Sequence, residues 1–287
     1  MSLTIVIVTY KSNHLIQNLL KSIPDNFEVL IIENSLDKKL KKSLEKDFKN
    51  VKVFLPKENL GYSRGVNYGA KLAKTNYVLF LVADVIFNRQ TFLKIEKICN
   101  DLKNFAIIAP TFKDERIFKN YVEYKRENKI LNFYENEILE VKEVDGAAFV
   151  INKQKFNHMI MDENIFMYFD STDMCLNTIR RGEKIYAILN VKFDHLGLQS
   201  SEKKYSEEII KNRNWHYCWS KFYFYQKNYN YLLACSKIFP NFLRSILKIL
   251  KSFFKKDNPE YENALAELKG IINSVLKKKS HYRPKIN

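Results

Sequence analysis

Residues 77–86 read YVLFLVADVI, and the placement of that stretch decides the fold. Residues 78–82 are all strongly apolar, as in a strand buried on both faces of a parallel sheet. Asp84 follows this run after Ala83. A carboxylate in such a place is costly to bury unless something pairs with it. Open α/β sheets bind their ligands at the carboxyl ends of the strands. Asp84 therefore has two readings, a ligand for a divalent cation at the mouth of a parallel sheet or a cap on the loop that follows.

The flanking segments supply the rest of such a sheet. Residues 3–9 (LTIVIVT) are a β-branched run suited to a buried strand. Ser12 is placed to N-cap a helix that carries Leu15, Leu19, Leu20 and Ile23 on one side and stops at Pro24. A second buried strand over 27–32 ends on the polar cluster Glu33-Asn34-Ser35. A Lys-rich helix over about 37–48 and a strand over 51–55 come next. Strand and helix alternating through short links predict right-handed crossovers and a parallel sheet.

Residues 59–74 read NLGYSRGVNYGAKLAK, with glycines at 61, 65 and 69. The P-loop spacing is missing. Glycines four apart line one helix face and permit close approach to a sheet or to a ligand. Packing is the commoner use, while polar Asn59, Arg64 and Asn67 beside them speak for a ligand. A helix over about 90–102 and a strand over 105–109 ending at Pro110 are expected beyond Asp84. Residues 111–143 alternate poorly and predict an irregular β excursion or a flexible insert. VDGAAFVI at 144–151 is a returning strand whose small residues leave room for a ligand. Asp170 and Asp173 open a helix through Arg180 that Gly182 closes. Residues 185–196 predict two short strands ending at Asp194-His195.

The chain has 48 Lys and Arg against 32 Asp and Glu, a formal charge of +16. Such an excess favours anionic partners: phosphorylated ligands, an acidic bilayer or nucleic acid. Four scattered cysteines without a C-x-x-C spacing argue against a disulfide framework or a zinc site and suit a reducing compartment. Met1 is followed almost at once by the first strand, so no signal peptide is expected. No uncharged apolar run approaches the roughly 18 residues of a spanning helix. The expectation is a cytoplasmic protein whose membrane contact, if any, is peripheral. Aromatics crowd 214–231 and read first as helix packing, second as a stacking platform for bases.

Residues 236–256 hold six Lys or Arg and no acid. Phe242, Leu243, Ile246, Leu247, Ile249, Leu250, Phe253 and Phe254 fall on one side of a helix, opposite Arg244, Lys248, Lys251, Lys255 and Lys256. This pattern matches a helix lying on an anionic membrane surface. The alternative is a helix packed on the rest of the chain or on a second subunit. Residues 236–287 supply +8 of the net charge. A second helix is expected over about 260–276.

Taken together, VTY at 8–10, IIENS at 31–35, NLGYSRGVNYG at 59–69, LVADV at 81–85, VDGAAFVI at 144–151, DENIFMYFDSTDMCLNTIRRG at 162–182 and DH at 194–195 resemble the bacterial GT-A glycosyltransferases that include rhamnosyltransferases. The order and spacing of the motifs carry the resemblance, over about residues 3–230. It implies an α/β, Rossmann-like GT-A domain at 1–230, mostly parallel with helices on both faces, and a C-terminal helical appendage at 231–287. It implies an inverting transferase that uses a UDP- or dTDP-sugar, rhamnose-type by family, and a glycan or lipid-linked acceptor in surface polysaccharide assembly. Thr9, Tyr10, Glu33, Asn34, Ser35, Asn59, Gly61, Arg64 and Asp84 would bind the nucleotide sugar. Asp84 and His195 would hold a divalent cation, Mn²⁺ or Mg²⁺. Asp145, Gly146 and Ala147 would line the sugar and acceptor space. The catalytic base would be Asp173 or Asp170, both of which also suit simple helix capping. Arg64 and, beyond His195, Lys203, Lys204 and Arg213 are candidates to neutralise the diphosphate.

The chain departs from the family at Val82, where an acid or amide is usual, and at Ser171, where the usual base stands. These departures keep open a relative that binds nucleotide sugar or glycan without turnover. A nucleic-acid-binding protein rests on charge and aromatics alone and is disfavoured.

Overall fold

A computed structural model describes residues 3–114, 119–124, 130–133, 136–157, 159–196, 205–252 and 259–284. By their contacts these divide into two compact units, one of residues 1–60, 64–161 and 171–202, the other of 61–63, 162–170 and 203–287.

In the first unit β1 (Leu3–Thr9), β2 (Val29–Glu33), β3 (Val51–Phe54) and β4 (Tyr77–Val82) run parallel in the order β3-β2-β1-β4. They alternate with α1 (Asn13–Ser22), α2 (Lys38–Asp47) and α3 (Gly61–Leu72), and α4 (Arg89–Leu102) follows. Successive side chains of β1 point to opposite faces. Leu3, Ile5 and Ile7 join a core with Ile16, Leu19 and Leu20 of α1 and Phe92 and Ile95 of α4. On the other face, a Cβ on Gly69 would lie 2.3 Å from Val6 Cγ1, and one on Gly65 2.8 Å from Val8 Cγ1. Those two glycines let α3 sit against β1, which is their packing use. Helices therefore cover both faces.

The helix starts differ in how they are capped. Asp37 accepts from the Lys39 and Leu40 amides, and Asn88 from that of Thr91. Ser12 holds the expected place before α1 but makes no side-chain cap; its hydroxyl donates to the Tyr10 carbonyl instead.

The sheet continues β4-β10-β6-β11-β9-β7, through β6 (Ile107–Phe112), β7 (Tyr121–Glu123), β9 (Asn136–Val144), β10 (Ala148–Asn152) and β11 (Ile185–His195). Two further strands lie off this path, β5 (Val85–Ile86) on β11 and β8 (Ile130–Phe133) on β9. β10 is antiparallel to both β4 and β6, β6 and β11 are parallel, and β9 is antiparallel to β11. Of the excursion over 111–143, the described strands β7 and β8 both pair antiparallel with β9. Residues 185–195 form one strand rather than two, with a register shift between Ile188 and Lys192. Pro110 lies inside β6 rather than ending it, paired with Ile188 where the shift begins. A residue without an N–H is tolerated at such an irregularity. Helix α5 (Asp170–Arg180) closes at Gly182, whose φ of +77° suits glycine.

The second unit holds α6 (Ser206–Asn228), α7 (Tyr231–Ser252) and α8 (Pro259–Val275). Trp215, Trp219, Phe222 and Phe224 of α6 are buried. Trp215 stacks on Tyr282 with centroids 5.8 Å apart, and Trp219 Nε1 donates to the Lys278 carbonyl at 3.0 Å. Most of the aromatic stripe is thus packing inside this unit, while Tyr217, Tyr229 and Tyr231 stay exposed. Within this unit α6 packs with α7 and α8. Among the described residues no helix is long and apolar enough to cross a membrane.

Candidate active site

Strand register gathers several polar residues at one edge of the sheet. Pairing of Thr9 with Glu33 and of Val8 with Val82 aligns the carboxyl ends of β1, β2 and β4. The turn into β10 comes to the same edge, where the Val82 amide donates to the Ala147 carbonyl at 3.1 Å. β11 ends there too: Asp194 and His195 pair with Ile86 and Val85, and the Leu196 amide donates to the Asp84 carbonyl at 2.9 Å. These backbone ties bring His195 Nε2 to 3.4 Å from Asp84 Oδ2. Asp84 is buried, and the His195 side chain is 26% exposed.

The charges around this pair are coupled. Burial alone would lower the His195 pKa, but the hydrogen bond to Asp84 and the charges of Asp84 and Asp145 outweigh it and hold the imidazole above its ordinary value. Burial raises Asp145, against the pull of the Ala147 amide and of His195, and Asp84 adds to the rise. Asp145 is braced from behind. Its amide donates to the Asn120 carbonyl at 2.8 Å, and the Asn120 side chain binds the Pro110 carbonyl and the Phe112 amide.

Glu143 belongs to this cluster and escaped the sequence reading. Its Oε1 accepts from Thr172 Oγ1 at 2.5 Å. Burial raises its pKa, the Thr172 bond offsets part of that, and Asp145 adds to it. The available signal was the two-residue spacing of Glu143 and Asp145, which on an extended chain sends side chains to one face.

Asp84 and His195 fit part of a cation site. One carboxylate oxygen and one imidazole nitrogen suit Mn²⁺, or Mg²⁺ less well, when phosphate oxygens and waters complete the shell. Among the described residues no group of three or more His, Cys, Asp or Glu could hold an ion unaided.

The other expected residues divide. Thr9 and Glu33 are buried, with Thr9 Oγ1 donating to Glu33 Oε2 at 2.5 Å and the Ser35 amide to Oε1 at 2.6 Å. Glu33 is thereby committed to joining β1 and β2, and burial raises its pKa despite those bonds. Ser35 Oγ accepts from the Lys11 amide, and Asn34 Oδ1 from the Leu60 amide. Lys11 and Leu36 hold left-handed backbones, φ 53° and 61°, a strain typical of binding loops. Tyr10 and Asn59 are half-buried at the ends of their segments.

Arg64 pairs with Glu58 at 2.8 Å. Asn67 is no ligand residue: its side chain binds the amides of Ile160 and Met161 and the Met161 carbonyl. Asp173 is buried and accepts from Asn177 at 3.0 Å. Asp170 is the first helical residue of α5 rather than its cap. Gly61 and Asp170 belong to the second unit. There Gly61 has φ +73° and a Cβ on it would lie 2.4 Å from Phe166. Arg213, in the same unit, donates from Nε to Tyr168 Oη at 2.6 Å. Lys203 and Lys204 lie outside the described residues.

A family model described as glycosyl transferase family 2 matches residues 4–159, more than half of the chain, with β2, β3 and β4 entire and β1 from its second residue. The chain belongs to glycosyl transferase family 2. Among curated relatives, the low-salt glycan biosynthesis hexosyltransferase Agl10 of Haloferax volcanii is 23% identical over 231 residues, 74% of each chain. Among solved structures, the mannosyltransferase PcManGT of Pyrobaculum calidifontis, in complex with GDP-Man and Mn²⁺, superposes with a TM-score of 0.55 at 12% identity, covering 97% of this chain and 88% of that one. TarS 1–349 of S. aureus with UDP gives 0.53 at 15% identity, covering 99% and 93%. This glycosyltransferase thus has the α/β GT-A fold followed by C-terminal helices.

Proposed function

We propose that this glycosyltransferase moves a hexosyl group, with inversion, from a nucleoside diphosphate sugar to a hydroxyl of a glycan or lipid-linked acceptor. The meeting of Asp84 with His195 at the carboxyl edge of the sheet carries the reading. The GDP-mannose, UDP and Mn²⁺ present in the similar structures agree with it. Thr9, Tyr10, Asn34, Ser35, Asn59, Gly61 and Arg64 bind the nucleotide and its phosphates, on a floor that Glu33 fixes from below. To reach a phosphate, Arg64 exchanges its exposed partner Glu58.

Asp84 and His195 hold the divalent cation. Bound there, it would neutralise charge developing on the departing diphosphate. Asp145, Gly146 and Ala147 border the sugar and acceptor. Asp173 takes the acceptor proton as the oxygen attacks the anomeric carbon, and Asp170 is the second candidate. We assign the activity to surface polysaccharide assembly at the inner face of the cytoplasmic membrane, with a UDP- or dTDP-linked, rhamnose-type donor first in line.

Val82 and Ser171 favour a second reading, nucleotide-sugar binding without turnover. Incubation with UDP-, dTDP- and GDP-sugars, with and without Mn²⁺, separates the two. Mn²⁺-dependent release of one nucleoside diphosphate supports transfer. Thermal stabilisation by a nucleotide sugar with no release supports binding alone, and neither response contradicts both.

A further inference from the structure

Helix α7 is built inside out. The face it turns toward α6 and α8 carries Ala234, Ile238, Asn241, Ser245 and Ser252, all buried and mostly small or polar. The opposite face carries Leu232, Phe239, Leu243, Leu247 and Leu250, exposed at 80%, 59%, 47%, 49% and 63%. At 3.6 residues per turn these two sets lie on opposite sides of the helix. A helix meeting water would be expected to place them the other way round.

Buried polar bonds fix this rotation. Ser245 Oγ donates to Glu267 Oε2 of α8 at 2.7 Å, and Lys221 of α6 donates to Asn241 Oδ1 at 2.8 Å. Rolling the leucines inward would break both bonds and strand a buried carboxylate. Along one flank between the two faces run Lys237, Arg244, Lys248 and Lys251. Burial lowers the Lys221 pKa, and the charges of Arg244 and Lys237 lower it further, so this flank gathers positive charge.

We infer that the outer face of α7 is a membrane-docking surface. It lies in the plane of an anionic bilayer, with the Leu232–Leu250 stripe in the acyl boundary and the basic flank at the headgroups. Apolar area and basic charge along one helix are the two components of such binding. A second copy of the chain would use the apolar stripe but gives no reason for the basic row beside it, of which Lys248 also pairs with Glu267 at 3.8 Å. The inference deepens the peripheral placement proposed above, but it stands on the helical unit and survives an error in the transfer chemistry.

Sedimentation of the full chain with vesicles tests it, one set of phosphatidylcholine alone and one with phosphatidylglycerol added. Binding to the anionic set is expected. Leu243→Glu, Leu247→Glu and Leu250→Glu together should lower it by at least about a hundredfold. Lys237→Gln, Arg244→Gln and Lys251→Gln together should lower it by about a hundredfold on the anionic set alone. Both variants should keep wild-type circular dichroism and nucleoside diphosphate release. No binding by the wild type, or unchanged binding by the glutamate variant, overturns the inference. So does a wild-type dimer in light scattering that the glutamate variant turns into monomer. In the wild type, release without vesicle binding would fault this surface alone, and vesicle binding without release the transferase reading alone.

Discussion

His195 stands 3.4 Å from Asp84 because the backbone leaves it little choice. The residue after Asp84 pairs in strand register with His195, and the residue after His195 donates its amide to the Asp84 carbonyl. The side chains therefore meet across a two-strand ribbon that backbone hydrogen bonds hold on both sides. Such preorganisation suits a group that must act on charge as it develops.

Asp173→Asn should lower kcat between about a hundredfold and ten-thousandfold, the range for loss of a general base. KM for the donor should change little. Steady-state rates with a saturating donor check this, with Asp170→Asn alongside. A loss confined to Asp170→Asn moves the base to the first residue of α5. If neither loses activity, the base is not on α5, and Glu143 is the next carboxylate to substitute.

Gly69→Ala should destabilise the fold by about 1–3 kcal/mol, because the new methyl would overlap a methyl of Val6. Urea unfolding measures the loss. Val6→Ala opens the space the methyl needs, so the double variant should be less destabilised than the sum of the two single ones. Simple additivity would place the cost elsewhere.

His216 predicts a pH dependence of stability. It is buried in the helical unit, stacked on Phe166 at 4.5 Å, with Nε2 2.9 Å from the Tyr282 carbonyl and Nδ1 3.0 Å from Ser280 Oγ. Burial, with Arg283 and His281 nearby, pushes its pKa from 6.5 down to about 3, against the Tyr282 contact. The unfolded chain thus binds this proton more readily than the folded one. The stability involved is fully present above pH 6.5 and is lost as pH falls from there toward 3. His216→Gln should be less stable at neutral pH, and its melting temperature should fall less steeply between pH 6.5 and 4. An unchanged acid slope would contradict the assignment.

The parallel half of the sheet was legible because apolar runs, short links and polar strand ends all point to one topology. Gly65 and Gly69 read correctly as close approach, since their spacing fixes the face they share. Asn67 did not read correctly. Its partners, Ile160 and Met161, are far away in sequence, and nothing local separates a buried backbone brace from a ligand. Glu143 was hidden in a ribbon of weak alternation, where period-two reading loses its signal. For α7 the sequence showed both apolar and basic residues, but which side is covered depends on Asn241 and Ser245 meeting partners on other helices. Strand β11 runs through its register shift as one strand because its pairing with β6 resumes at Thr111, a partner far away in sequence.

The central claim is that Asp84 and His195 hold a cation against a departing diphosphate. Its most direct test is the initial rate of nucleoside diphosphate release as a function of Mn²⁺ concentration, for wild type, Asp84→Asn and His195→Gln, using the donor that supports turnover. The account predicts a saturable Mn²⁺ dependence in the wild type. It predicts a fall of at least about a hundredfold for Asp84→Asn, the scale on which loss of transition-state charge stabilisation acts, and a higher Mn²⁺ requirement for His195→Gln. A folded Asp84→Asn enzyme that keeps the wild-type rate and Mn²⁺ dependence would contradict it.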